Sequence, residues 1–98
     1  MATLQTAVPL NKFILSGRTL LVRRLNSGAT CLIDQGRRKA SVIAHGKAAR
    51  TLLEIGDGAW LTVEGTIRTD PWIDARGNTR WHTDLVVESI RYEAGDRE

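Results

Sequence analysis

Two tryptophans, Trp72 and Trp81, bracket the polar stretch Asp74-Ala75-Arg76-Gly77-Asn78, which reads as a loop tip. Trp72 follows Pro71 at the end of a strand-like alternation, where a large ring is hard to bury. An exposed indole offers a flat face for another planar ring, and a stacked nucleobase contributes about 1–3 kcal/mol. Trp81, across the same loop, is either a second platform or a cross-strand partner of Trp72. Charge is the second ingredient. Arg37, Arg38 and Lys39 are consecutive cations suited to phosphate oxygens. On a single strand, each displaced counterion adds about −0.7 to the log–log dependence of affinity on salt. Arg23, Arg24, Arg68, Arg76 and Arg80, with Lys12, extend that track, and His45 is a polar candidate beside it. The plainer reading is that the basic turn is merely solvated, Trp72 packs under its own loop or at a subunit contact, and Glu64 neutralises Arg68. Trp60 has outward parity and suits a surface or subunit contact.

Bond-making chemistry finds little support. Ser16 lies in Leu15-Ser16-Gly17-Arg18, which is no nucleophile elbow, and there is no glycine-rich phosphate loop. His45, His82 and Cys31 fall in separate segments without ligand spacing, so neither metal nor cofactor is expected, and Cys31 reads as a small core residue. Asp70 and Asp74 flank a tryptophan-containing loop, where turn chemistry explains two acids better than an acid–base pair. The expectation is a binding protein, not an enzyme.

The chain has 98 residues, enough for one small domain whose limited core makes self-association natural. Its net charge of +3 conceals an asymmetry. Residues 1–50 carry nine basic groups and one acid, whereas residues 51–98 carry five arginines and ten acids. The first half, if it forms one face, attracts a polyanion; if the halves interleave, the charges pair off. A single cysteine requires no oxidising compartment, no apolar run approaches the roughly 20 residues of a membrane span, and Met1 to Leu10 lacks the order of a signal peptide. A cytoplasmic protein is expected.

These side chains need elements to carry them. Phe13 to Leu25 reads as a long strand, with a bend or bulge at Ser16-Gly17. Asn26-Ser27-Gly28 is a turn, Ala29 to Asp34 a second strand, and Lys39 to Ala44 a third after a tight connection. From Gly46 to Ile55 the period changes: Ala48, Ala49, Leu52, Leu53 and Ile55 form the stripe of a short helix, capped by Gly56. Trp60 to Thr69 returns to period two, with Leu61, Val63 and Ile67 inward and Gly65 where a barrel strand coils sharply. Pro71, lacking an N–H, is expected to end regular pairing. Thr79 to Glu93 is the last strand, with Leu85, Val86 and Val87 as its buried centre. Five strands with one helix between the third and fourth predict an all-β, five-stranded oligonucleotide/oligosaccharide-binding barrel, the helix plugging its end. A five-stranded SH3-like barrel is the rival, but it has no need of that helix.

Asn11 to Gly17, Ser41 to Arg50, and Leu61 to Thr69 with the residues after it up to Val87 are segments that together resemble the bacterial single-stranded DNA-binding protein family. Asn11 to Gly17 is similar to its opening strand, and Ser41 to Arg50 to its third strand running into the helix. Leu61 to Thr69, followed by Trp72, Asp74, Gly77, Arg80 and Thr83 to Val87, is similar to its fourth strand, loop and fifth strand. Three departures stand out: the second connection is cut to little more than Gln35 to Lys39, and Lys39 and His45 occupy positions that are aromatic in the family. The family's long extension with an acidic tip has no counterpart, which moves the resemblance toward short relatives such as primosomal replication protein N or plasmid- and phage-type variants. The resemblance implies a barrel over residues 11–93, an N-terminal arm over 1–10 and a polar end over 94–98. It further implies sequence-nonspecific binding of single-stranded DNA in replication, recombination or repair, a homodimer or homotetramer, and a nucleoid-associated place in the cytoplasm. Trp72, Trp81 and His45 then meet bases, while Lys12, Arg23, Arg37, Arg38, Lys39, Arg68, Arg76 and Arg80 meet phosphates. A primosome-type adaptor contacting replication-restart proteins, and a barrel for single-stranded RNA, are the alternatives.

Overall fold

A computed structural model describes residues 10–92, so residues 1–9 of the expected arm over 1–10, Glu93 and the polar end over 94–98 lie outside the described residues. The elements are β1 (Phe13–Leu25), β2 (Gly28–Asp34), β3 (Lys39–His45), α1 (Gly46–Ile55), β4 (Trp60–Ile73) and β5 (Thr79–Tyr92). The strands close into a barrel in the order β1-β2-β3-β5-β4. All neighbours are antiparallel except β3 and β5, whose parallel seam consists of Ile43↔Val86 and Ala44↔Val87.

Alternation builds the interior. Ala29, Cys31 and Ile33 of β2, Val42 and Ala44 of β3, and Leu61 and Val63 of β4 are buried together with Phe13 and Val87. The stripe of α1 buries Ala49 and Leu52, with Ala48, Leu53 and Ile55 packed at its margins. Full burial of Leu52 contributes roughly 1.5–3 kcal/mol, and packing along this stripe holds a helix too short to stand alone. Gly56 ends it at φ 75°, donating its N–H to the Leu52 carbonyl at 3.0 Å. A Cβ on Gly65 would collide with the Val86 carbonyl; there the ladder slips between Glu64 and Gly65, and β5 accommodates Glu88.

Three expectations are corrected. The bulge of β1 lies not at Gly17, which pairs regularly with Leu61, but between Leu20 and Arg23, with Leu21 at φ 53°. The loop after α1 holds it there: buried Thr19 donates Oγ1 to the Gly56 carbonyl at 2.6 Å and accepts the Ala59 N–H at 3.0 Å, and Asp57 Oδ1 accepts the Val22 N–H at 2.7 Å. Gly17 is needed for close approach instead, since its Cβ would sit 2.5 Å from the Asp34 carbonyl oxygen. Second, Pro71 does not end pairing; β4 continues through Pro71↔Trp81 to Ile73↔Thr79. The Asp74 N–H bonds the Asn78 carbonyl, whereas the Ile67 N–H turns the other way to Asn11 Oδ1. Strand N–H groups alternate in direction, so position 71 faces the side opposite β5, where no strand pairs and no donor is required. Third, Ile67 lies beyond the barrel and is 41% exposed, while Leu85 and Val86 are half-buried and only Val87 of that trio is buried.

Candidate functional site

Because Ala29, Cys31 and Ile33 point inward, Thr30 and Leu32 must point outward, as must Ser41 and Ile43 of β3. The register aligns these positions into an outer row, Arg23–Thr30–Ile43–Val86–Thr66, that crosses all five strands. Parallel to it run Leu20–Leu32–Ser41 and Arg18–Asp34–Lys39. The outer face of β2 and β3 is therefore uncharged in the middle, with Arg23 at one margin and Arg18, Lys39 and the acid Asp34 at the other. Arg37 and Arg38 lie in the tight turn after β2, where Gly36 (φ 100°) donates its N–H to Asp34 Oδ1 at 3.0 Å. His45 stands exposed at the other end of β3, its Nδ1 3.4 Å from the Ser27 carbonyl oxygen.

Beyond Thr66 and Val86, β4 and β5 leave the barrel as a two-stranded ribbon. Its pairs sort strictly by parity. Arg68/Asp84, Asp70/His82 and Trp72/Arg80 share the face continuous with the outer row; Ile67/Leu85, Thr69/Thr83, Pro71/Trp81 and Ile73/Thr79 share the other. One face is charged and the other has no charge at all. Trp72 and Trp81, 51% and 66% exposed, lie on opposite faces. Of the two alternatives for Trp81, the cross-strand pair with Trp72 does not form, because Trp72 opposes Arg80 and Trp81 opposes Pro71. Trp72 borders an open cavity of about 400 Å³ together with Asp70, Pro71 and His82.

The cations of the expected track divide into two groups. On the ribbon, Arg68 Nε meets Asp70 at 3.2 Å, Arg80 Nε meets Asp74 at 2.8 Å, and His82 Nε2 lies 2.9 Å from Asp84 Oδ1. Glu64 does not neutralise Arg68; it takes Lys12 at 3.3 Å and Arg91 at 3.6 Å. Arg23, Arg37, Arg38, Lys39 and Arg76 form no ion pair among the described residues. Asp74 organises the ribbon tip, accepting the N–H groups of Arg76 and Asn78 at 2.9 Å each. The Arg80 guanidinium first, then these backbone donors, hold its carboxyl below the usual range.

Sequence reasoning missed Thr30, Leu32, Ser41 and Ile43 as the floor of the face, although the inward parity of their neighbours marks them. Among the described residues no group of three His, Cys, Asp or Glu is placed to hold a metal ion. The buried Cys31 thiol is pushed up to about 11, by burial first and by Asp57 second. No helix of the described residues is long and apolar enough to cross a membrane.

No family model matches the chain, and no curated protein matches it. Solved structures do. The mitochondrial single-stranded DNA-binding protein Rim1 of S. cerevisiae superposes with a TM-score of 0.65 at 17% identity, over 87% of this chain and 96% of its own. The Plasmodium falciparum SSB, solved in complex with single-stranded DNA, gives 0.59 at 17% identity, over 90% of this chain and 98% of its own. Asparaginyl-tRNA synthetase of Pyrococcus horikoshii gives 0.61 at 15% identity over 83% of this chain but only 18% of the enzyme. With the closed five-stranded order and the helix between β3 and β4, these likenesses show what fold this is: an oligonucleotide/oligosaccharide-binding barrel.

Proposed function

We propose that the protein binds single-stranded DNA without sequence preference and performs no chemical step. The observation that carries this reading is the continuous outer face from Arg23 through Thr30, Ile43, Val86 and Thr66 to the ribbon face of Trp72, bordered by Arg37, Arg38 and Lys39, which form no ion pair among the described residues. An uncharged floor accepts bases of any identity, Trp72 stacks on one of them, and the margins take phosphates. Two proteins with similar barrels, Rim1 of S. cerevisiae and the SSB of P. falciparum, are single-stranded DNA-binding proteins. On this reading the protein protects single strands during replication, recombination or repair and resides with DNA in the cytoplasm. It self-associates as a dimer or tetramer through the outer face of β1 and β4, where Ile14 and Trp60 are 57% and 49% exposed. The arm 1–10 and the end 94–98 then flank a binding domain of residues 11–93.

The five cations of the candidate set that form no ion pair among the described residues predict a salt slope of about −3.5, so affinity falls about a hundredfold between 50 and 200 mM salt. Titration with short oligothymidylate, following tryptophan fluorescence at several salt concentrations, tests the reading. Quenching with a slope near that value is expected; neither quenching nor binding at low salt overturns it. Oligouridylate in parallel decides between DNA and RNA. A second reading, an adaptor for replication-restart proteins, draws on the uncharged ribbon face with Ile73 and Trp81, which suits protein better than a polyanion. It predicts a stoichiometric partner that survives nuclease treatment.

A further inference from the structure

Arg23 and Arg24 are consecutive, yet the register sends them to opposite sides of β1. Arg23 pairs with outward Thr30, whereas Arg24 pairs with Ala29, whose side chain points inward. Beyond the end of the barrel wall, that inward direction leads over α1. Arg24 there lines a groove of about 190 Å³ with Asn26, Ser27 and Gly28 on one bank and Gly46, Ala49, Arg50 and Leu53 on the other. The lining contains two arginines, one amide and one hydroxyl, and no acid. Neither Arg24 nor Arg50 forms an ion pair among the described residues, and both are exposed. The β1–β2 turn separates this groove from the outer face, with His45 beside it through Ser27.

From this arrangement we infer that the groove between the β1–β2 turn and α1 is a second phosphodiester-binding station. A single strand leaving the outer face at Arg23 bends over Asn26 and Ser27, and its next phosphates reach Arg24 and Arg50. The groove combines the donors of Arg24, Asn26, Ser27 and Arg50 with the apolar side chains of Leu25, Ala49 and Leu53, so it suits a sugar–phosphate segment. The inference rests on the function proposed above and extends the path of the same ligand. The station is used only by strands long enough to turn the corner, so affinity depends on length in a way the outer face alone does not predict.

The test compares the full chain with the double variant Arg24→Ala, Arg50→Ala and with Lys47→Ala as a control. Lys47, a cation of the same helix, forms no ion pair among the described residues but lines a different groove, with Glu88, Ser89 and Ile90. Binding to oligothymidylates of about 6 and about 30 nucleotides is measured over a range of salt, within and beyond the usual reach of one such barrel. For the long oligomer the double variant should lose about 1.4 from the magnitude of the salt slope, two counterions' worth. The short oligomer should bind it as it binds the unaltered chain, and Lys47→Ala should change neither. An unchanged slope on the long oligomer overturns the station, as does an equal weakening of both oligomers or an equal effect per charge from Lys47→Ala, since either marks a diffuse field. Failure of the unaltered chain to bind any single strand removes the underlying reading; success there with an indifferent double variant removes only this one. Thermal melting of each variant checks that the fold is intact.

Discussion

Removing an acid from the ribbon should tighten binding, and Asp70→Asn is the cleanest case. Asp70 accepts Arg68 Nε at 3.2 Å, both side chains are 61% exposed, and Asp70 holds no backbone donor among the described bonds. The substitution therefore releases Arg68 without unmaking the turn. A pair this exposed contributes at most about 1 kcal/mol to folding, so stability should hardly move. Binding changes for a definite reason. In the unaltered chain a phosphate approaching Arg68 must displace Asp70; in the variant it meets a free guanidinium and one fewer repelling charge. The salt slope should steepen by about 0.7, which over a fourfold fall in salt is an additional two- to threefold gain in affinity. Fluorescence titration with oligothymidylate at 50 and 200 mM salt reads both numbers. Unchanged slope and affinity would refute the claim that internal pairing, not distance from the ligand, keeps Arg68 out of the track.

Other outcomes follow from the same geometry. Trp72→Ala should cost about 1–3 kcal/mol of binding to a short oligomer, whereas Trp81→Ala, altering the uncharged face, should cost far less; equal losses would contradict the assignment of faces. Thr19→Val keeps the volume but strands the Gly56 carbonyl and the Ala59 N–H, both half-buried. Urea unfolding should show a loss of about 2–3 kcal/mol, and a loss below about 1 would mean that water replaces both bonds. Cys31 should resist thiol reagents at pH 8 until the chain unfolds. Its folded value near 11 exceeds the ordinary 9.0, so this contribution to stability is complete below about pH 9 and disappears as pH rises through 11; native labelling at pH 8 would contradict the burial.

Much of the fold was legible because local chemistry coincided with tertiary need. The three-and-four spacing of Ala48 to Ile55 with the glycine at 56 marks the helix at its observed bounds, and period two in Trp60 to Thr69 marks the start of β4 but not its continuation to Ile73. The β1 bulge was not legible, since its cause lies in Thr19 and Asp57, the latter separated from its partner Val22 by 35 positions. The site was half legible. Residue types identified the tryptophans and cations, but which face each tryptophan occupies depends on the offset of the β4–β5 ladder, and a slip of one residue exchanges the faces. Likewise Arg80 and Asp74 are six positions apart, and only the turn between them makes one the neighbour of the other.

The β3–β5 seam has a dynamic consequence. Two pairs close the barrel there, against a β4–β5 ladder running from Leu61↔Tyr92 to Ile73↔Thr79. Short ladders open first in local fluctuations, and the outer row crosses this one at Ile43 and Val86. A strand lying along that row spans the joint and fastens it like a clasp. Slowed amide exchange confined to Ile43, Ala44, Val86 and Val87 would then report occupancy directly, with ligand concentration setting its extent.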